Sequence, residues 1–226
     1  MNESSRAAVH HSRFSIRHSS CVPWGWAASG LALALAVKGG WLVAFDHGVT
    51  QWLKVVRTPA LDEVAAAITF FGSSLWTGML VVLMMGWWWR TGQRKPMVGW
   101  CVAGGCALLM QVILRWWVAQ WRPDTAVPVP EPMSLFTRYE LAGFTSGHAF
   151  RSAFLYGWWA DRLWQNRTRS WAVAGAVGCW LLILLIGITR VYLHRHWCTD
   201  VIGAWLIAMT ALAATARYRR QPSARS

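Results

Sequence analysis

The chain has 226 residues, a length that predicts one domain or a domain with a small appendage. Hydrophobic residues make up 55% of it and charged residues 14%, whereas a soluble domain usually carries about 25% charged residues. This composition excludes disordered and disulfide-stapled secreted classes, and a soluble globule of this size could not bury so much apolar surface. With 19 Trp and several uncharged runs near the spanning length of about 20 residues, it indicates a polytopic membrane protein.

The formal net charge of +13 would suggest a nucleic-acid partner in a soluble protein. Here 13 of the 22 Lys and Arg fall in four short clusters at the chain ends and in alternate loops. This is the pattern by which the positive-inside rule fixes orientation. We therefore expect no nucleic-acid partner, and we expect both termini in the cytoplasm.

The apolar runs predict an all-α fold, a six-transmembrane-helix bundle with its active site at the outer membrane face. The predicted spans are Trp24–Phe45, Val64–Trp89, Pro96–Leu114, Gly147–Leu163, Trp171–Thr189 and Val201–Ala216. Residues 23–217 would form the membrane domain, between a flexible cytoplasmic tail at 1–22 and a basic cytoplasmic tail at 218–226. A cleaved signal peptide with Leu31–Val37 as its apolar core is the competing interpretation of the N-terminal segment.

Two longer loops are expected on the outer side. The first, Asp46–Glu63, includes a short interfacial helix around Val49–Val56. The second, Pro123–Phe144, contains four prolines and cannot be a regular helix through its first half.

On this topology the polar residues within or beside the spans gather at the outer face. They are Arg115 and Arg122 at the end of the third span, His148 and Arg151 at the start of the fourth, and Arg190, His196 and Asp200 between the fifth and sixth. Ionisable residues at membrane depth indicate a functional site. Clustered arginines repel one another unless an anion lies among them, and Arg suits bidentate phosphate binding, so a phosphate group is the expected ligand.

The spacings support this hypothesis. Arg115 and Arg122 are seven residues apart, about two helical turns, and therefore share one helix face. His196 and Asp200 are four apart, so the carboxylate can orient one ring nitrogen and leave the other available as a base or nucleophile. Ser146 and Gly147 precede the fourth helix, where backbone N–H groups and the helix dipole favour an anion.

Three stretches together resemble the tripartite signature of the type 2 phosphatidic acid phosphatase family, in order and spacing. They are Arg115-x6-Arg122-Pro123, Thr145-Ser146-Gly147-His148 and Thr189-Arg190-x5-His196-x3-Asp200. The family usually has Lys at the position of Arg115, Pro at that of Thr145 and Ser at that of Thr189. Each replacement keeps the charge, the capping ability or the hydroxyl, so the departures bear on substrate preference more than on activity.

The resemblance implies phosphoryl transfer through a phosphohistidine, without a metal ion or other cofactor. His196 would attack phosphorus, Asp200 would orient it, and His148 would protonate the leaving oxygen and later activate water. The equatorial oxygens would be held by Arg115, Arg122, Arg190 and the N–H groups near Ser146 and Gly147.

The implied substrate is a membrane lipid phosphate or diphosphate, which the enzyme would bind at the periplasmic leaflet of a bacterial inner membrane. Undecaprenyl diphosphate is the first choice on family frequency, with phosphatidylglycerol phosphate and the phosphates of lipid A as alternatives. A lipid phosphotransferase would use the same residues. A non-enzymatic lipid-binding or transport protein is the alternative of a different class, against which His148, His196 and Asp200 argue.

Three further interpretations concern single residues. Arg151, which no family motif assigns, would pair with Glu140 or Asp124, or contact a second anionic group of the substrate head. A metal site at His194, His196, Cys198 and Asp200 is disfavoured because the arginines would repel a cation. A serine hydrolase built on Ser146 lacks a second acid at a useful place.

Overall fold

The structure, a computed structural model, describes residues 22–123 and 141–220. These residues form α1 (Val22–Lys38), α2 (Val43–Val55), α3 (Pro59–Phe70), α4 (Ser74–Arg90), α5 (Arg94–Val118), α6 (Gly147–Trp164), α7 (Ser170–Tyr192) and α8 (Cys198–Arg220). Within these two ranges the β-type pairing is limited to an isolated antiparallel bridge between Trp121 and Ala142. The predicted all-α class is confirmed.

Several of these helices are long and apolar enough to cross a membrane. They are Pro59–Arg90, which joins α3 and α4, Arg94–Val118, Ser170–Tyr192 and Cys198–Arg219. A fifth crossing is added if the bent pair α1 and α2 counts as one span. The multi-pass membrane class is therefore confirmed, whereas the count of six crossings stays a prediction.

The first predicted span differs from the structure in where it ends. Helix α1 stops at Lys38 rather than at Phe45, and α2 leaves it at an angle of 87°. Gly40 follows with φ +74, a left-handed conformation that glycine adopts without steric cost and that ends a helix. Phe45 and Asp46 consequently belong to α2, which also contains most of the predicted interfacial helix.

The second predicted span is interrupted between Phe70 and Ser74. Ser73 caps α4 by accepting a hydrogen bond from the Trp76 N–H. A Cβ on Gly72 would lie 2.8 Å from Ile186 Cγ2, so only glycine lets this break approach α7 so closely. The break also contacts α6, which carries the residues of the site.

Helix α6 lies at the centre of the bundle and packs most extensively against α7 and α8. Its bounds match the predicted fourth span closely, yet it falls outside the set of helices apolar enough to count as spans. The two facts have one cause. Neighbouring helices cover α6, and in a lipid solvent the helices that face outward are the ones that must be apolar.

Candidate active site

The site lies where the C-terminal end of α5, the N-terminal end of α6 and the connection from α7 to α8 meet. Two segments that flank the undescribed residues 124–140 are tied together beside it. Trp121 pairs with Ala142, and the Gly143 N–H donates to the Gln120 carbonyl at 2.7 Å. Arg122 is thereby fixed next to Gly143, whose added Cβ would lie 3.4 Å from Arg122 Cγ.

His196 and Asp200 form the buried centre of the site. The distance between His196 Nδ1 and Asp200 Oδ2 is 3.2 Å, and the two residues are 3% and 0% exposed. The Trp197 N–H also donates to Asp200 Oδ2, at 3.0 Å. Upstream, the His196 N–H donates to the Arg190 carbonyl at 3.2 Å, which links this turn to the end of α7. The predicted spacing of four residues thus gives the predicted contact, and the ring presents Nε2 away from the carboxylate.

Ser146 joins this centre to α6. Its side chain caps α6 by accepting from the Ala149 N–H, and its own N–H donates to the Asp200 carbonyl at 3.1 Å. The Ser146 N–H is therefore engaged by the protein, and phosphate binding by the N–H groups near Ser146 and Gly147 stays a prediction. The first-turn N–H groups of Gly147 and His148, which have no acceptor within the helix, are the ones available to a ligand there.

The motif arginines reach the site from three elements. Arg115 Nη2 donates to the Thr145 carbonyl at 2.8 Å, and Arg190 Nη1 donates to Thr69 Oγ1 on α3 at 3.4 Å. Arg122, Arg190 and His196 lie close enough to His148 for their charges to interact with it. Arg115 and Arg122 lie close enough to Asp200 for their charges to interact with its carboxylate. The structure thus brings the three motifs together, and the surplus of positive charge favours an anion.

Arg151 extends from α6 to the break between α3 and α4. Its Nη2 donates to the Gly72 carbonyl at 3.3 Å and lies 3.5 Å from His148 Nδ1. The partners suggested from sequence, Glu140 and Asp124, lie outside the described residues. A contact with the substrate head group stays a prediction.

The cluster of possible metal ligands does not assemble in the part of the chain that the structure describes, where no three His, Cys, Asp or Glu side chains are placed to hold an ion. His194 adopts a left-handed backbone with φ 55, and Cys198 begins α8. Metal-independent chemistry is still a prediction, because it concerns the reaction itself.

Sequence reasoning missed two residues that contact the centre. Gly143 approaches so closely that a Cβ would lie 2.7 Å from Asp200 Oδ2. Asp46 accepts hydrogen bonds from Thr199, the neighbour of Asp200. Asp46 directly follows the apolar run Leu42–Phe45, and an acid at the end of such a run was the available signal. Its assignment to an outer loop concealed it.

Comparison with known proteins identifies the class. A family model described as the PAP2 superfamily matches residues 96–223, more than half of the chain and all three motifs. The chain belongs to the PAP2 superfamily. It is therefore a membrane-embedded hydrolase of the PAP2 phosphatase type, as the three motifs predicted.

One curated relative shares sequence with it, and two solved structures share its fold. Phosphatidylglycerophosphatase B of Bacillus subtilis (strain 168) is 28% identical over 189 residues, which cover 79% of this chain and 85% of the relative. The fold is similar to the crystal structure of the first transmembrane PAP2 type phosphatidylglycerolphosphate phosphatase from Bacillus subtilis, with a TM-score of 0.73 and 23% identity over 91% of this chain and 100% of that one. It is also similar to the crystal structure of Aquifex aeolicus LpxE, with a TM-score of 0.54 and 18% identity over 75% and 93% of the two chains.

Proposed function

We propose that this enzyme hydrolyses a lipid phosphate through a phosphohistidine formed on His196. The observation that carries the proposal is the buried contact of 3.2 Å between His196 Nδ1 and Asp200 Oδ2. This contact leaves Nε2 as the attacking nitrogen, and a carboxylate on Nδ1 stabilises the imidazolium that forms when Nε2 bonds to phosphorus.

The reaction proceeds in two steps. His196 Nε2 attacks phosphorus while the bond to the lipid oxygen breaks, and His148 gives that oxygen its proton. His148 then takes a proton from water, which attacks phosphorus and releases phosphate and free His196. His148 donates this proton as the imidazolium, which carries a proton on each ring nitrogen. Its Nε2 is the nitrogen that would give the proton up, because Nδ1 faces Arg151 with Nη2 at 3.5 Å.

The charge of the transferring group is balanced by the protein alone. Arg115, Arg122, Arg190 and the N-terminal end of α6 surround the position where the phosphate would bind, and such preorganised donors can replace a metal ion. Ser146 contributes by capping α6 and by holding the Asp200 carbonyl. The proposed mechanism uses no cofactor.

Phosphatidylglycerol phosphate is the leading substrate in this proposal, because two of the similar proteins bear names that refer to it. Undecaprenyl diphosphate, the first choice on family frequency, is the second candidate. The observation in its favour is Arg151, an additional cation one helical turn after His148 that could contact a second phosphate. A lipid phosphotransferase would share every step up to the attack of water.

We further propose that the site faces the periplasm from the inner membrane of a bacterium, with both chain ends in the cytoplasm. The distribution of Lys and Arg supports this orientation. A substrate whose tail stays in the bilayer could then present its head group to His196 at the membrane surface.

The test is phosphate release in detergent, in excess EDTA, from phosphatidylglycerol phosphate, undecaprenyl diphosphate and a lipid A phosphate. We expect turnover of at least one lipid by the wild-type enzyme and none by a His196→Ala variant that elutes normally on gel filtration. Near-normal rates in that variant would refute the phosphohistidine. Loss of activity in EDTA with recovery on adding Mg²⁺ or Zn²⁺ would refute the metal-free mechanism.

The substrate question has its own comparison, between monophosphate and diphosphate lipids in an Arg151→Ala variant. A hydrogen bond to a charged group contributes about 1.5–3 kcal/mol, so losing a contact with a second phosphate should raise KM roughly tenfold or more. We expect that rise for the diphosphate alone if Arg151 contacts the head group. Equal losses on both lipids would assign Arg151 to positioning His148.

A further inference from the structure

A buried carboxylate outside the three motifs contacts the segment that carries Asp200. Asp46, in the first turn of α2, is 1% exposed. Its Oδ1 accepts from the Thr199 N–H at 3.0 Å, and its Oδ2 accepts from Thr199 Oγ1 at 2.6 Å. Gln120 Nε2 approaches the same Oδ2 at 3.4 Å. Three donors therefore converge on the two oxygens of one buried carboxyl group.

These contacts matter because Thr199 is itself 1% exposed and directly precedes Asp200. A buried donor that loses its acceptor costs about 1–3 kcal/mol, so Thr199 would shift to recover one if Asp46 were removed. The carboxylate also lies at the N-terminal end of α8, where the helix dipole stabilises negative charge. Asp46 thus fixes the first turn of α8 in the orientation that brings Asp200 to His196.

Residues of α2 and of the segment that follows α5 support the same turn. The His47 ring packs against the Trp197 ring with centroids 4.8 Å apart. Trp197 donates its N–H to Asp200 Oδ2 and its Nε1–H to the Trp121 carbonyl, the latter at 2.6 Å. Contacts from α2 and from the segment that follows α5 therefore meet on the residues between His196 and Asp200.

We propose that Asp46 is a positioning residue for phosphoryl transfer. It holds Thr199, and through Thr199 it holds the Asp200 carboxylate against His196; through Gln120 it also steadies the segment that carries Arg122. Asp46 does not touch the substrate. The inference rests on the proposed roles of His196 and Asp200.

The first test compares kcat and KM of Asp46→Ala, Asp46→Asn and the control Asp62→Ala, an acid whose partner Arg57 lies at the surface. Small misplacements of a reacting group can reduce rates by up to about a hundredfold. Because Asp200 would be misplaced, we expect Asp46→Ala to lower kcat roughly tenfold or more and to leave KM nearly unchanged. Asp46→Asn should restore most of kcat, because its amide oxygen still accepts from the Thr199 N–H. Equal kcat in Asp46→Ala and Asp62→Ala would overturn the proposal.

The second test separates positioning from a general loss of structure. If Asp46 acts through Asp200, the Asp46→Ala change should have almost no further effect on the residual kcat of Asp200→Ala, whereas independent effects would add. Additive losses would overturn the proposal. If Asp46→Ala does not fold, Thr199→Val removes only the hydroxyl donor, and wild-type kcat in that variant would overturn it. A wild-type enzyme that released no phosphate from any lipid would instead refute the proposed function.

Discussion

At the scale of single residues, the site is held by hydrogen bonds to backbone carbonyls of other segments. Arg115 donates to the Thr145 carbonyl, and Arg151 donates to the Gly72 carbonyl. The Ser146 N–H donates to the Asp200 carbonyl. Backbone carbonyls, such as those of Thr145 and Gly72, therefore help to fix the positions of the side chains in the site.

Gly143→Ala tests this dependence. The new Cβ would lie 2.7 Å from Asp200 Oδ2 and must displace that carboxylate or the segment from Leu141 to Thr145. We expect kcat to fall about tenfold to a hundredfold, the range that misplacement of a catalytic group produces. The rate of phosphate release at saturating lipid concentration measures this kcat.

Gly105→Ala on α5 is the matched control, because nothing lies within 4 Å of its added Cβ. It should retain wild-type kcat. If Gly143→Ala also retained it, the close approach of Gly143 to Asp200 would be irrelevant to catalysis.

At the scale of elements, the interruption between α3 and α4 is attached to α6 by side chains of α6. The Tyr156 hydroxyl donates to the Phe71 carbonyl at 2.7 Å and accepts from Trp76 Nε1 at 3.0 Å. Arg151 holds the next carbonyl of the same break. The interrupted span is therefore a supported part of the bundle that lies against the helix of His148.

Tyr156→Phe should destabilise the enzyme, because it removes two part-buried hydrogen bonds, one to the Phe71 carbonyl and one from Trp76 Nε1. The expected cost is about 1–3 kcal/mol. For a chain of this size 1 kcal/mol corresponds to roughly 2–4 °C in Tm, so intrinsic Trp fluorescence during heating should show a clear decrease. Tyr218→Phe, at the more exposed end of α8, is the control and should leave Tm unchanged. Equal Tm values for the two variants would contradict this account of the break.

The elements differ in how far their sequence predicts them. The bounds of α5, α7 and α8 lie within four residues of the uncharged runs that predicted them, because one unbroken apolar stretch fits one crossing. Helix α6 begins and ends close to its prediction although it contains Arg151 and Asp161. The bend after Lys38 and the break at Gly72 lie inside apolar runs, where hydropathy carries no signal of direction. Both depend on glycines whose role is set by packing or φ, as with Gly72 against Ile186.

At the scale of the whole molecule, the cationic loop between α4 and α5 lies at the opposite end of the bundle from the site. Arg90 and Arg94 mark one end of α4 and α5, whereas Arg115 and the start of α6 mark the other. The positive-inside rule predicts that the first end faces the cytoplasm. The proposed access from the periplasmic leaflet follows from this asymmetry.

Cysteines introduced into a Cys-free background test the orientation. Ala119→Cys, exposed at the end of α5 beside the site, should react with an impermeant thiol reagent added to intact cells. Gln93→Cys, exposed at the opposite end of the same helix, should react only after the cells are opened. The reverse pattern of labelling would place the active site in the cytoplasm.

The site itself was more predictable than the fold around it. The sequence could predict that His148, His196, Asp200 and the motif arginines lie together, because helical spacing and the cost of charge in a membrane restrict where such residues can be. Their roles in the reaction stay predictions. Asp46 and Gly143 were missed because their importance arises from contacts across long sequence separation, such as that from Asp46 to Thr199. The hydrogen bond from the Ser146 N–H to the Asp200 carbonyl has the same origin.

The most direct measurement of the central claim is the chemical identity of the phosphoenzyme. Wild-type enzyme quenched in alkali during turnover of a lipid labelled in its phosphate should carry label on His196, stable to base and lost in acid. The His196→Ala variant, quenched in the same way, should carry none. Acid-stable label, or label retained by His196→Ala, would contradict the account.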